Sequence, residues 1–173
     1  LVAAGLVMTA VGTLLMSHFT LYVDFWGIAT PGIWSGIGSG LFFVPLTAVA
    51  FASVSKGQLD EASGVYALMR GIGGSAGIAV VSWLFVRQTQ IHFNELTAHI
   101  TPYNRDLAPY LSQHGLNPYS PESAPLVAHE IARQAQMLAF NDLFWFIGIV
   151  TLAIIPLLLL MKKPEKVSLV PAH

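Results

Sequence analysis

Charged residues are almost absent from four long stretches of this chain. The 173 residues include 8 Lys or Arg and 9 Asp or Glu, yet the stretches 1–23, 25–55, 62–86 and 143–161 together hold only one of them, Arg70. Each stretch is close to or above the roughly 20 apolar residues with which an α-helix crosses about 30 Å of hydrocarbon. The pattern predicts four membrane-spanning helices. It excludes an ordinary water-soluble domain, in which about a quarter of the residues are charged.

The predicted fold class is an all-α membrane protein. We expect membrane helices at about 1–23, 28–52, 59–87 and 138–161, an external loop at 88–137 and a cytoplasmic tail at 162–173. The chain begins inside an apolar run without an initiating Met, and no basic segment with a cleavage site follows. We therefore expect it to be the C-terminal piece of a longer protein.

Prolines and polar residues indicate where the helices begin or bend. Pro31 is expected in the first turn of the second helix, where a missing N–H costs little, and Pro45 near its middle predicts a kink. Ser55 and Gln58 have the S-x-x-Q spacing of a capping box for the third helix. After its membrane span this helix keeps an amphipathic spacing and is expected to continue for a few turns, ahead of a proline-rich irregular segment. Residues 123–137 are predicted to form a polar helix that continues into the last span.

Basic residues favour one orientation in the membrane. Four crossings place both chain ends on one side, and the short link between the second and third helices lies on that side too. Lysines are found there, and arginines on the opposite side: Lys56, Lys162, Lys163 and Lys166 against Arg87, Arg105 and Arg133. Because positively charged loops stay in the cytoplasm, the C-terminus is predicted to be cytoplasmic.

Glycines form small-residue ridges on two of the predicted helices. Gly36 and Gly40 lie on the second helix, and Gly73 and Gly77 on the third. Small residues let membrane helices approach closely, which matters because little hydrophobic force joins them in lipid. These positions are interpreted as helix-packing sites, or as surfaces that slide during function.

Two motifs suggest enzymes and are incomplete. Gly73–Gly77 fits the G-x-S-x-G pattern of serine hydrolases, but the last three spans contain no His that could act as the base. His129 begins an H-E-x-x-H zinc motif, but Arg133 replaces its second His. His92 and His99 are predicted to be solvated, and the chain has no Cys. We therefore predict no enzymatic activity, no metal site and no cofactor.

Three polar residues near or inside the spans are candidates for a substrate or gating role. Arg70 lies about ten residues inside the third helix, where an arginine costs about 2.5–3.5 kcal/mol at the bilayer centre even on the lenient scale. It must face protein or water, as a structural clasp or as part of a substrate or gating site. Asn141 and Asp142 lie where the last helix enters the membrane, and Asp142 either titrates there or marks the interface.

Three blocks of sequence resemble one family. They are Gly38–Thr47 (GSGLFFVPLT), Ala62–Gly64 followed by Met69–Gly77 (MRGIGGSAG), and Gln134–Trp145 (QAQMLAFNDLFW). Together they resemble the C-terminal end of the EmrB/QacA-type drug:proton antiporters of the major facilitator superfamily. The resemblance implies that residues 1–161 are the last four of fourteen helices, within the C-terminal lobe of that fold. It also implies that the acids thought to couple protons lie in the missing first lobe.

The resemblance implies export of hydrophobic or amphipathic compounds, driven by proton entry, across a bacterial inner membrane. The implied partners are the lipid bilayer, protons, drugs and the missing N-terminal helices of the same transporter, with a periplasmic adaptor as a further candidate. No nucleic-acid partner is expected, because the net charge is only −1. The alternative is a small four-helix membrane scaffold or assembly protein without transport activity.

Overall fold

The computed structural model describes residues 1–52, 54–99, 109, 112 and 123–159. All regular structure in this part of the chain is helical, which confirms the predicted all-α class. The helices are α1 (Val2–Met16), α2 (Phe25–Phe51), α3 (Leu59–His99) and α4 (Ser123–Leu159), with a 3₁₀ turn at Lys56–Gln58. The predicted cytoplasmic tail at 162–173 lies outside the described residues.

Three helices, α2, α3 and α4, are long and apolar enough to cross a membrane. Helix α1 has 15 residues and is about 22 Å long at 1.5 Å per residue. Helix α1 therefore ends seven residues before the end of the predicted span over 1–23, and the span itself stays a prediction. The hydroxyl of Ser17 donates to the Leu14 carbonyl at 2.7 Å, and His18 Nδ1 contacts the same carbonyl at 3.2 Å. These polar groups occupy the carbonyl end of the helix and stop it.

Helix α2 begins three residues earlier than predicted. The Asp24 carboxylate accepts a hydrogen bond from the Gly27 backbone N–H at 3.0 Å and caps the helix. As a result Pro31 lies in the helix interior, not in its first turn, and it cannot donate to the carbonyl four residues before it. The helix also runs through Pro45 to Phe51, so Pro45 does not end it. The kink there stays a prediction.

The predicted capping box before α3 does not form. The Ser55 hydroxyl donates to the Gln58 side-chain carbonyl at 2.9 Å and not to a backbone N–H of the following turn. The backbone N–H of Gln58 donates to the Ser55 carbonyl at 3.0 Å, which closes a 3₁₀ turn. This turn, rather than a capped first turn, connects residue 55 to α3.

Helices α3 and α4 extend far beyond a bilayer's thickness. They have 41 and 37 residues, against the roughly 20 that a span requires. Residues 88–99 and 123–137 are helical, as expected for these two segments. The external location of 88–137 stays a prediction. Pro125 is the third residue of α4, in the first turn, where helices tolerate proline.

Helix α4 lies between α1 and α3 and packs against both. Its buried side chains recur every four residues on one face: Ile131, Ala135, Ala139 and Leu143. On the α1 side, Leu6 and Ala10 are buried, and Gly148 of α4 faces Leu14. The small residues among them, Ala10, Ala135, Ala139 and Gly148, allow the close helix approach on which packing in lipid depends.

Backbone-to-backbone contact joins α1 to α2. A Cβ atom placed on Gly5 would lie 2.8 Å from the Gly38 carbonyl oxygen, and one placed on Gly12 would lie 2.8 Å from the Pro31 carbonyl oxygen. Because the numbers rise on one helix as they fall on the other, the pair is antiparallel. Only glycine fits at these positions.

The predicted glycine ridges face elsewhere. Gly36, Gly40, Gly73 and Gly77 have no heavy atom within 4 Å of an added Cβ in the described part of the chain. At these four positions, no other helix in the described part of the chain comes close enough to pack against the glycine. A packing or sliding role against other helices stays a prediction for these four positions.

Substitution of Gly38 tests the α1–α2 contact. An added Cβ would lie 2.5 Å from the backbone nitrogen of Thr9, and overpacking of this kind costs about 1–3 kcal/mol. We expect Gly38→Ala to lower the thermal unfolding midpoint of the purified protein in detergent. Gly57→Ala is the matched control, because Gly57 lies in the exposed 3₁₀ turn and an added Cβ there meets no heavy atom within 4 Å. Equal effects of the two substitutions would show that α1 and α2 do not pack as described.

Candidate functional site

Asn141 and Asp142 are adjacent on α4 and reach in different directions. Successive residues of a helix are turned by about 100°, so neighbouring side chains lie on different faces. Asn141 contacts the turn between α1 and α2, and Asp142 contacts α3. The two predicted candidates therefore form one junction where three parts of the chain meet.

Asp142 accepts two hydrogen bonds from α3. The side-chain amide of Gln88 donates to its Oδ2 atom at 2.9 Å, and Nε2 of His92 lies 2.7 Å from the same oxygen. Gln88 and His92 are four residues apart and so share one face of α3. Hydrogen bonds to a carboxylate are roughly twice as strong as neutral ones, so these contacts are a firm polar link between the two helices.

The second ring nitrogen of His92 also faces a carboxylate. Its Nδ1 atom lies 3.5 Å from Oε2 of Glu95, one turn further along α3. The His92 side chain is 20% exposed, against 44% for Asp142. The prediction that His92 is simply solvated is therefore wrong, because it lies in a half-buried position between two acidic side chains.

Asn141 attaches α4 to the turn that follows α1. Its amide group donates to the Phe19 backbone carbonyl at 2.9 Å, and the Phe19 ring packs edge-on against Phe144 with centroids 6.2 Å apart. The Asn141 side-chain oxygen is buried and has no hydrogen-bond partner in the described residues. Burial of an unpaired polar atom costs free energy, so this position is specialised rather than incidental.

A cleft of about 350 Å³ opens beside Asp142. Its walls combine apolar and charged side chains: Leu84, Arg87, Gln88, Asp142, Leu143, Trp145 and Phe146. The guanidinium of Arg87 lies 5.2 Å from the ring centre of Trp83, within the range of a cation–π contact. The cleft gives Asp142 access to solvent at this end of the helices.

Arg70 does not share this site. Its guanidinium carbon lies 5.1 Å from the ring centre of Phe43 on α2, and it forms no ion pair in the described part of the chain. Cation–π contacts contribute about 0.5–2 kcal/mol, more where water is excluded. The partner of Arg70 is thus an aromatic ring. The sequence alone does not indicate this contact.

Near the 3₁₀ turn, side chains also join α2 to α3. The hydroxyls of Thr47 and Tyr66 are 3.3 Å apart, and the rings of Phe51 and Tyr66 have centroids 5.4 Å apart. A second cleft of about 600 Å³ opens here between the turn and α3. Arg70 lies one turn beyond Tyr66, so its contact with Phe43 continues this row.

Two further charged groups of α4, Glu130 and Arg133, pair with each other. Arg133 donates to both carboxylate oxygens of Glu130, at 2.9 and 3.1 Å. Arg133, which replaces the second His of the incomplete zinc motif, is therefore part of an ion pair. Among the described residues, no group of three or more His, Asp or Glu side chains is arranged to hold a metal ion.

Substitutions of Asn141 test the junction with α1. Asn141→Ala leaves the Phe19 carbonyl without its donor, at a cost of about 1–3 kcal/mol, and should lower the thermal unfolding midpoint. Asn141→Asp should lower it further, since a carboxylate oxygen would replace a donor 2.9 Å from that carbonyl. Asn94→Ala is the control, because Asn94 is exposed on α3. If neither Asn141 variant differs from the Asn94 variant, the hydrogen bond does not contribute to stability.

Known proteins similar to this chain are export and resistance proteins. The fatty acid resistance protein FarB of Neisseria gonorrhoeae is 29% identical over 151 residues, which are 86% of this chain and 29% of that protein. The colistin resistance protein EmrB of Acinetobacter baumannii is 26% identical over 172 residues, 95% of this chain and 33% of that protein. The multidrug export protein EmrB of Escherichia coli is 25% identical over 143 residues, which are 82% of this chain and 28% of that protein.

No protein-family model matches the chain, and no solved structure is significantly similar to it. The chain spans about 28–33% of the length of these curated relatives. The relatives nevertheless match over 82–95% of this chain, which agrees with the family resemblance stated above. The homologues of this chain are thus EmrB and FarB proteins, named for multidrug export and for resistance to colistin and fatty acids, and the chain covers about one third of their length.

Proposed function

We propose that this chain is the C-terminal part of a proton-coupled multidrug efflux transporter that exports hydrophobic or amphipathic compounds. The similarity to named export proteins over 82–95% of the chain carries the proposal. The relatives' names mention fatty acids, colistin and multiple drugs, and these compounds share large apolar or amphipathic surfaces. A bacterial inner membrane is the proposed location, with the C-terminus in the cytoplasm as the lysine distribution favours.

The exposed helix faces agree with a role inside a larger membrane domain. Helix α3 has no buried residue, and large apolar side chains cover it, among them Leu68, Met69, Ile72 and Ile78 at 59–70% exposure. A face of this kind requires lipid or further helices as its surroundings. We propose that α3 and the outward glycines of α2 contact other helices of the same transporter, so these 173 residues alone should not transport.

A resistance assay tests the proposal. The full-length gene is expressed in a bacterial strain that lacks its main efflux pumps, with fatty acids, colistin and lipophilic dyes as test compounds. We expect higher inhibitory concentrations and dye efflux that a protonophore abolishes. The 173 residues expressed alone should give neither. Unchanged susceptibility with a correctly inserted full-length protein would favour the alternative of a membrane scaffold.

Arg70→Ala and Phe43→Leu in the same assay separate two roles for the arginine. If Arg70 acts through its charge on substrate or gating, Arg70→Ala should reduce resistance while Phe43→Leu, which keeps the guanidinium, changes it little. If Arg70 is a clasp between α2 and α3, both variants should lower resistance and stability together. Unchanged resistance in Arg70→Ala at equal expression would leave the residue with a packing role only.

A further inference from the structure

One polar cluster is not explained by drug export. It consists of Gln88, His92 and Glu95 on α3 and Asp142 on α4, and we call it the outer cluster. His92 lies at its centre, with Nε2 at 2.7 Å from Asp142 and Nδ1 at 3.5 Å from Glu95. Each ring nitrogen thus faces a carboxylate, and an ionised carboxylate accepts hydrogen bonds but cannot donate them.

The chemistry of imidazole makes this arrangement informative. A neutral imidazole donates from one nitrogen and presents a lone pair at the other, whereas an imidazolium donates from both. Two carboxylates at the two nitrogens therefore complement the protonated ring. In the neutral ring, the lone pair at Nδ1 would face the Glu95 carboxylate.

We propose that the outer cluster is a proton-binding site centred on His92, and that its bound proton holds α3 to α4. With the proton bound, the ring joins both carboxylates. Without it, the ring still donates to Asp142, but as a neutral group, so the bond between α3 and α4 loses the added strength of an imidazolium donor. The contact with Glu95, within α3, becomes unfavourable. The link between the helices is then strongest when the site is protonated, and it weakens when the proton is lost.

Few other charges oppose this assignment. On α4, Asp142 contacts His92, while Glu130 and Arg133 pair with each other. On α3, Glu95 contacts His92, and Arg87 lines the cleft beside Asp142. From the turn after α1, the Phe19 carbonyl accepts a hydrogen bond from Asn141, and Tyr22 interacts with Arg133.

Protons can reach the site from solution. Asp142 is 44% exposed and lines the cleft, and His92 lies at the end of α3 that extends beyond a membrane span. The assignment of this end to the outside rests on the proposed orientation of the transporter. The proposal of a proton site does not depend on that orientation, because it is tested on the purified protein without a transport measurement.

Spin labels can measure the separation of the two helix ends. The 173 residues contain no Cys, so a pair of cysteines can be introduced at Ile91 and Leu138, each 39% exposed and adjacent to the cluster. Any cysteines elsewhere in the full-length protein are replaced first. Nitroxide labels are attached, and the distance distribution in detergent is measured by pulsed electron paramagnetic resonance at pH 5.5 and 8.5.

We expect a narrow, short distance at pH 5.5 and a broader, longer one at pH 8.5. His92→Gln keeps a neutral donor and should remove the pH dependence, with a broad distribution at both values. His92→Arg keeps a permanent charge and should give the narrow distribution at both. His18→Gln is the matched control, because it removes a histidine outside the cluster and should leave the pH dependence intact.

Three outcomes would overturn the proposal. They are no pH dependence in the parent protein, a pH dependence that survives His92→Gln, and one that disappears equally in His18→Gln. An efflux assay that fails while the spin-label result holds would contradict the proposed function and leave the proton site in place. The opposite pair of results would remove the site and keep the transporter.

Discussion

The described structure depends on one helix, α4, and on how it is held from both sides. Asn141 binds the turn after α1, and the next residue, Asp142, binds Gln88 and His92 of α3. Apolar burial alone specifies little in a bilayer, because lipid is as apolar as the side chains. Hydrogen bonds are directional. The bonds of Asn141 and Asp142 therefore fix the rotation of α4 about its own axis and its position along the axes of α1 and α3. Ala135 and Ala139, which precede this pair on α4, are small and buried and allow close packing.

Much of the fold follows from the sequence, because hydrocarbon excludes charge. The uncharged stretches locate α2, α3 and α4, and the amphipathic spacing correctly extends α3 beyond residue 87. The end of α1 is missed, since Phe19, Leu21 and Val23 continue the apolar run although Ser17 already stops the helix. The start of α2 is also missed. The Asp24 carboxylate caps the helix, so that it begins three residues before the predicted start.

The site is only partly predictable, and the reason is geometric. Arg70, Asn141 and Asp142 attract notice as polar groups in or beside apolar spans. Their partners do not, because His92 and Asp142 are 50 residues apart in sequence and no spacing rule connects them. Glycine spacing likewise indicates a ridge without its direction. Gly36 and Gly40 are on such a ridge, but it is Gly38, which points to another face, that contacts α1.

The two main interfaces differ in how readily they can change. Helices α1 and α2 meet backbone to backbone at Gly5, Gly12 and Gly38, and close-packed contacts of this kind shift only by repacking. Helix α3 buries no residue and is attached to α4 largely through polar and aromatic side chains, including Gln88, His92 and the ring of Phe85 against Phe140. Side-chain contacts can exchange partners without a backbone clash. We therefore expect movement within this part of the chain to occur between α3 and α4, while α1 and α2 move as one body.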